Sequence, residues 1–91
     1  MIVKKKVTKY SIEYTLIHGD KVFKFEEYTD DVWADKRRYP NKNKPMFRKG
    51  YTYFCQRREN IGLGYIWSPA TNKNITNIKD AKKFVRNREY L

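Results

Sequence analysis

Apolar and polar residues alternate along much of the first third of the chain. From Tyr10 to Leu16 every second residue is aromatic or aliphatic, and the residues between them are polar or charged. A period of two predicts a strand with one buried face. Turn residues at 18–20, His-Gly-Asp, separate this stretch from a second one at 22–28, so we expect an amino-terminal hairpin within residues 1–31.

Residues 32–49 follow neither the helical nor the strand period and form the predicted connecting region. Thr29 or Asp30 is suited to cap a short helix over residues 31–38. Tyr39-Pro40 would end that helix, because the residue before a proline avoids the helical conformation. The Asn-Lys-Asn-Lys-Pro run that follows is a loop by its composition.

Alternation returns in residues 51–56, which predict another strand. The polar run at 57–60, Arg-Arg-Glu-Asn, is expected to form the tip of a second hairpin. In the returning strand, 61–67, the large apolar side chains share one face, while Gly62 and Gly64 leave the other face nearly bare.

A helix is predicted over residues 78–89. Thr76 and Asn77 precede it as suitable caps, and Asp80 lies in its first turn, where the helix dipole favours an acid. Its apolar residues recur at spacings of three and four and are Ile78, Ala81, Phe84 and Val85. We expect this stripe to pack on the sheet.

Together these elements predict an α+β fold in one small domain, an antiparallel sheet of about four to five strands with a carboxy-terminal helix on one face. Residues 1–31 would form the amino-terminal hairpin, 32–49 the basic connecting region, and 50–91 a ββα unit. A chain of 91 residues suffices for one modest core, and its aromatic fraction of 16% is typical of a folded protein.

The cysteine and histidine content limits the chemistry of the chain. One cysteine and one histidine exclude an intramolecular disulfide and the usual zinc sites, so we expect no cofactor. No apolar run approaches the length of a signal peptide core or a membrane span. We therefore expect a cytoplasmic protein.

No residue set resembles an active site, so we expect no enzymatic activity. His18 lies in a predicted turn, and adjacent Asp30 and Asp31 are explained by helix capping. Cys55, on a strand among aromatic residues, is expected to be a buried apolar group rather than a reactive thiolate.

Charge is distributed unevenly along the chain. The net charge is +11, of which residues 1–31 contribute zero, residues 32–60 contribute +7 and residues 61–91 contribute +4. A charge this high exceeds what solubility needs and costs self-repulsion, and it favours a polyanionic partner because neutralised phosphates release counterions. Nucleic acid is therefore the first partner to consider.

The basic residues are interleaved with aromatic ones, a pattern that suits phosphate anchoring combined with base stacking or with docking of a sheet in a groove. At the predicted hairpin tip, Arg57 and Arg58 are expected to enter the groove of a duplex. The expected phosphate contacts are Arg37, Arg38, Lys42, Lys44, Arg48 and Lys49 from the connecting region, and Lys79, Lys82, Lys83 and Arg86 from the helix.

Residues 50–85 resemble the three-stranded-sheet-plus-helix DNA-binding fold of methyl-CpG-binding domains and of integrase arm-type domains. The resemblance is carried by Gly50-Tyr51-Thr52, Gln56-Arg57-Arg58, Tyr65-Ile66-Trp67-Ser68-Pro69, Lys73, Asn77, Ala81 and Phe84. It implies that Arg57 reads a guanine edge in the major groove. The family's second base-reading arginine corresponds to Thr76 here, so the resemblance does not imply methyl-CpG specificity.

Three binding functions are compatible with these features. The first is non-catalytic binding of duplex DNA. The second is that of a small phage-type inhibitor or adaptor that binds an acidic host protein or a nucleoprotein, with Trp33, Tyr39 and Trp67 as anchors. The bias towards Lys, Asn, Ile and Tyr is typical of small proteins of low-GC bacteria and their phages. The third is binding of single strands or of RNA by aromatic stacking, which requires that Tyr51, Tyr53 and Tyr65 are not buried.

Overall fold

A computed structural model describes all of residues 1–91 and confirms the α+β fold. Five antiparallel strands form one sheet in the order β1-β2-β3-β4-β5, and one helix, α1, follows them. The elements are β1 (Ile2–Val7), β2 (Ser11–His18), β3 (Lys21–Tyr28), β4 (Thr52–Asn60), β5 (Gly64–Pro69) and α1 (Ile78–Arg86). Since Phe25 of β3 pairs with Phe54 of β4, the two predicted hairpins belong to one continuous sheet.

Strand β1 was not predicted, and residues 1–31 therefore contain three strands rather than one hairpin. The strand pairs with β2 from Ile2↔Ile17 to Val7↔Ile12, and every residue in it is exposed. Lys4, Lys5 and Lys6 are consecutive, so β1 lacks the alternation of apolar and polar residues that predicts a strand. An edge strand tolerates lysines on both faces because their charges stay exposed to solvent. The same lysines protect this edge against pairing with another chain.

An aromatic cluster fixes the helix to the sheet. The ring of Phe23, fully buried on β3, lies 5.8 Å from that of Phe54, 6.5 Å from that of Phe84 and 5.1 Å from that of Tyr90. The apolar stripe of α1 packs here as predicted, with Ala81, Phe84 and Val85 buried. The core therefore lies between α1 and one face of β2, β3 and β4.

Helix α1 begins as predicted and ends earlier. The side chain of Asn77 accepts a hydrogen bond from the amide of Asp80, which satisfies one of the free amides of the first turn. After Arg86 the amide of Glu89 donates to the carbonyl of Phe84 over 3.1 Å, and Arg88 has a φ of 52°. This termination ends the helix three residues before the predicted Glu89 and lets Tyr90 return to the core.

The helix predicted over residues 31–38 does not form. Val32 pairs with Phe47 in an isolated bridge, so its backbone is extended. The Asp31 carboxylate accepts a hydrogen bond from the amide of Lys49 over 2.8 Å instead of capping a helix. The bridge closes a surface excursion over residues 33–46, which we call the basic loop, because it carries five cations against the single acid Asp35.

The tip of the second hairpin differs from the prediction. Residues 57–60 belong to β4, and β5 begins at Gly64 rather than at 61. The tip is Ile61-Gly62-Leu63, closed by a 2.9 Å hydrogen bond from the amide of Leu63 to the carbonyl of Asn60. The turn lies after the polar run because the two glycines with positive φ, Gly62 and Gly64, are two and four residues beyond Asn60.

The single helix of this structure, nine residues long, is too short to cross a membrane.

Truncation of the central core ring tests this packing. Phe23→Ala is expected to lower the free energy of unfolding by about 3–5 kcal/mol, since it removes contacts with the sheet and with α1 together. The matched exposed substitution Val7→Ala should change the free energy by less than about 0.5 kcal/mol. Urea denaturation followed by circular dichroism measures both, and equal stability of Phe23→Ala and the wild type would contradict the described core.

Candidate nucleic-acid interface

The sheet has two chemically different faces. One face, which we call the helix face, carries Leu16, Phe25 and Phe54 and is covered by α1. Side chains alternate along a strand, so the residues between these point to the opposite side, which we call the open face. No helix covers the open face, on which Tyr65 and Trp67 are exposed and Ser11 and Glu26 are buried.

Beyond the core, β4 and β5 continue as a two-stranded ribbon. Pairing between β3 and β4 ends at Phe23↔Gln56, whereas pairing between β4 and β5 continues to Asn60↔Gly64. We call residues 57–67 the ribbon. A cleft of about 500 Å³ separates it from the turn between β2 and β3, with Asp20 and Lys21 on one wall and Arg57 and Tyr65 on the other. The ribbon therefore projects from the domain.

Arg57 and Arg58 lie on opposite faces of the ribbon and not together at its tip. The Arg57 guanidinium lies over the ring of Tyr65, 4.4 Å from its centroid, on the open face. Arg58 lies on the other face, where its Nε donates to Ser68 Oγ over 2.9 Å. Both arginines are held by neighbours on β5, so each presents its charge in a defined direction.

A second cation and aromatic pair continues the open face towards the centre of the sheet. Lys24 Nζ lies 4.7 Å from the ring centroid of Trp67, which pairs across the ladder with Arg57. The same ammonium lies 3.8 Å from the carboxylate of Glu13. Cations and aromatic rings thus alternate along the open face in the order Lys24, Trp67, Arg57 and Tyr65.

The basic loop joins the domain at the far end of the open face. The ring of Phe47 stacks on that of Tyr28 at 4.9 Å and lies 5.4 Å from that of Tyr51. Tyr28 is on the open face by its position in the register, and its amide donates a hydrogen bond to the carbonyl of Tyr51, so the loop is attached to the domain on this side. All its cations are exposed and they are Lys36, Arg37, Arg38, Lys42 and Lys44, with Arg48 and Lys49 exposed directly after the bridge.

The helix cations lie on the other side of the molecule. Lys79, Lys83 and Arg86 are exposed, and Lys82 is half-buried, on the outer surface of a helix that covers the helix face. They are therefore separated from Arg57 by the thickness of the sheet and the helix. The predicted contact residues therefore form two groups, one on the ribbon and in the basic loop and the other on α1.

The predicted aromatic residues are accessible. Tyr51 is 47% exposed, Tyr65 is 63% exposed and Tyr53 is half-buried, so a stacking surface exists on the open face. Trp33 and Tyr39, on the basic loop, are 48% and 52% exposed, and Trp67 on β5 is 43% exposed. The three candidate anchors thus lie on two different elements.

The centre of the open face has a polar cluster around Glu26. This carboxylate is buried and accepts a hydrogen bond from Ser11 Oγ over 2.7 Å. Burial, with the nearby Glu26 carboxylate, raises the pKa of Tyr53 well above its usual value and raises that of Tyr28 in the same direction. Burial also raises the pKa of the Cys55 thiol, an effect partly offset by Lys24. The thiol is thus disfavoured as a nucleophile.

No group of three or more His, Cys, Asp or Glu residues comes close enough together to hold a metal ion. His18 is not a solvated turn residue as expected; it ends β2, pairs with Lys21 and is half-buried, with Nδ1 buried and lacking a hydrogen-bond partner.

Comparison with known proteins finds no family model, no curated protein sequence and no solved structure that matches this chain.

Lys24 lies beside Trp67 on the open face, a position that the sequence pattern did not predict. The residue lies in the segment of zero net charge, and its partner ring, Trp67, is more than forty positions away in the chain. The period of two on β3 does put Lys24 on the face opposite to Phe23 and Phe25, but only the strand order brings that face beside β5.

The tyrosine pKa values predict the behaviour of the protein in alkali. A raised pKa in the folded state means that folding favours neutral Tyr53, so this stabilisation is complete below about pH 10 and is lost as the pH rises further. We expect the melting temperature to fall above about pH 10, and to fall less steeply in Tyr53→Phe. Thermal melts from about pH 8 to 11 measure the two slopes, and identical slopes would refute this assignment.

Proposed function

We propose that the protein is a non-catalytic binder of duplex DNA whose ribbon enters a groove tip first. The observation that carries this proposal is the orientation of Arg57 and Arg58 on opposite faces of the ribbon, each held by a side chain of β5. In this orientation each face of the ribbon lies against the sugar-phosphate backbone of one DNA strand. Arg57 then contacts the phosphates of one DNA strand, and Arg58 contacts those of the other.

The dimensions and the charge of the ribbon support this arrangement. The major groove of B-DNA is about 12 Å wide and admits a two-stranded β-ribbon. Between the end of the β3 ladder and the tip, the ribbon is only two strands wide, since β4 there pairs with β5 alone. Arginine suits these positions because its planar guanidinium binds phosphate oxygens in pairs.

The basic loop supplies long-range attraction. The end of the loop packs on Tyr51 through Phe47, and Tyr51 lies about 20 Å along β4 behind Arg57. When the ribbon enters tip first, this distance runs away from the duplex, so the loop cations lie outside the groove. They attract the phosphates most strongly at low salt, where screening is weak.

Other features support a binding role inside the cell. Cys55 is half-buried, and burial raises the pKa of its thiol, which disfavours the thiol as a nucleophile. We assign the protein to the cytoplasm, because its only cysteine is unpaired and a reducing compartment preserves it.

Binding of a random duplex at increasing salt concentration tests the proposal. The logarithm of the association constant should fall linearly with the logarithm of the salt concentration, at about 0.9 per phosphate contacted. Arg57→Gln with Arg58→Gln should lower the affinity by about tenfold at low salt and reduce the slope by about 1.8. Fluorescence anisotropy of a labelled duplex measures both quantities.

The helix offers a control with the same change in charge. Lys79→Gln with Lys83→Gln removes two cations from the outer surface of α1 and should change the slope by much less. Equal losses in the two double variants would indicate a diffuse electrostatic effect instead of a ribbon contact. Undetectable binding of the wild-type protein at low salt would refute the proposal.

Single-strand binding is the second candidate, and the exposed rings of Tyr51, Tyr65 and Trp67 favour it specifically. Bases stack on such rings with about 1–3 kcal/mol each. In this case Trp67→Ala should weaken binding of single strands more than Arg57→Gln does, and an unlabelled single strand should displace the labelled duplex at lower concentration than unlabelled duplex. The duplex proposal predicts the opposite order of competitors.

A further inference from the structure

The tip of the ribbon is apolar and almost fully exposed. Ile61 is 94% exposed and Leu63 is 79% exposed, which are two of the highest values among the large hydrophobic residues of the chain. Hairpin tips are normally made of polar turn residues and glycine. Two aliphatic side chains at the end of the ribbon are therefore unexplained by folding, since they bury almost nothing there.

The tip is also a defined structure. The hydrogen bond from the Leu63 amide to the Asn60 carbonyl closes it, and Gly62 and Gly64 have φ values of 79° and 86° that other residues rarely adopt. The two glycines hold the turn in a tight form and leave Ile61 and Leu63 as its only bulky groups. The apolar pair is thus presented on a narrow, closed support.

We propose that Ile61 and Leu63 form a wedge that enters between adjacent base pairs of duplex DNA and kinks it. This inference rests on the proposed function, because the ribbon must already lie in a groove. When Arg57 and Arg58 meet the two phosphate walls, the tip faces the floor of the groove, which is made of base pairs. Apolar side chains that minor-groove proteins insert between base steps partly unstack them and bend the duplex, and we extend this mechanism to a tip that reaches the base pairs from the major groove.

The charges around the wedge favour a duplex over a lipid surface. Arg57 and Arg58 are each fixed by one neighbour, an arrangement that suits phosphates at set positions on two walls. A bilayer presents mobile headgroups on one side only, and two side chains bury too little area to anchor a protein there by themselves. Tyr65, next to the tip and 63% exposed, supplies a ring on which an unstacked base can rest.

The wedge defines the kind of sequence that the protein prefers. Insertion requires unstacking, which costs least at flexible pyrimidine-purine steps such as TA and CA. The preference would therefore come from deformability of the duplex and not from hydrogen bonds to base edges. We expect duplexes with a central TA step to bind more tightly than duplexes with an A-tract of the same length, at equal salt concentration.

Energy transfer between dyes at the two ends of a duplex of about 20–30 base pairs tests the wedge directly. The wild-type protein should shorten the distance between the ends, as expected for a bend of about 20–90°. Ile61→Ser with Leu63→Ser should abolish the shortening and lower the affinity by about tenfold, while the salt slope stays unchanged because the arginines are intact. The control Ile2→Ser with Val7→Ser removes two exposed aliphatic groups from β1 and should leave the bend intact.

Each contrary result has a distinct meaning. A straight duplex bound with the expected salt slope, or a bend that persists in the tip variant, would overturn the wedge and leave duplex binding in place. No binding of any duplex at low salt would remove the proposed function and the wedge with it. Binding of vesicles made of equal parts phosphatidylcholine and phosphatidylglycerol, lost in the tip variant while duplex bending is unaffected, would assign the tip to a lipid surface instead.

Discussion

The packing of Phe84 and Tyr90 on Phe23 determines how the rest of the molecule is arranged. These rings join the carboxy-terminal helix to the middle strand of the sheet, and they cover one face of it. Since side chains alternate along every strand, covering one face commits all the intervening residues to the other. The open face, with its alternating cations and rings, is thus a direct consequence of where the helix packs.

This constraint also explains why the positive charge is not spread over a single surface. Cations on α1 can only lie on its outer side, because the inner side carries the apolar stripe. Cations on the strands and in the basic loop lie on the opposite side or at the ends of the sheet. The ribbon differs from the rest of the sheet because it extends past β3 and the core. Both of its faces are therefore exposed to solvent, and each carries one arginine.

The sequence predicted those elements whose buried residues recur at a regular spacing. It did not predict those whose conformation depends on contacts between distant parts of the chain. The stripe of α1 and its Asn77 cap are local signals, and both were predicted. Strand β1 was not predicted because three consecutive lysines interrupt its alternation. An edge strand accommodates these charges at little cost in folding free energy, since they remain exposed. The helix expected over 31–38 is replaced by a bridge to Phe47, a contact that no local pattern reveals. Arg57 and Arg58 were expected side by side in a turn. They lie in β4, where consecutive side chains point to opposite faces of the sheet.

In the proposed complex the ribbon and the open face, and not the helix, contact the nucleic acid. Amide chemical shifts of the labelled protein, followed by NMR during titration with a short duplex, test this claim residue by residue. We predict that the largest changes occur in residues 57–67, with further changes in the basic loop, and that residues 79–86 on the outer surface of α1 change little. Large changes confined to the helix, with an unaffected ribbon, would contradict the account.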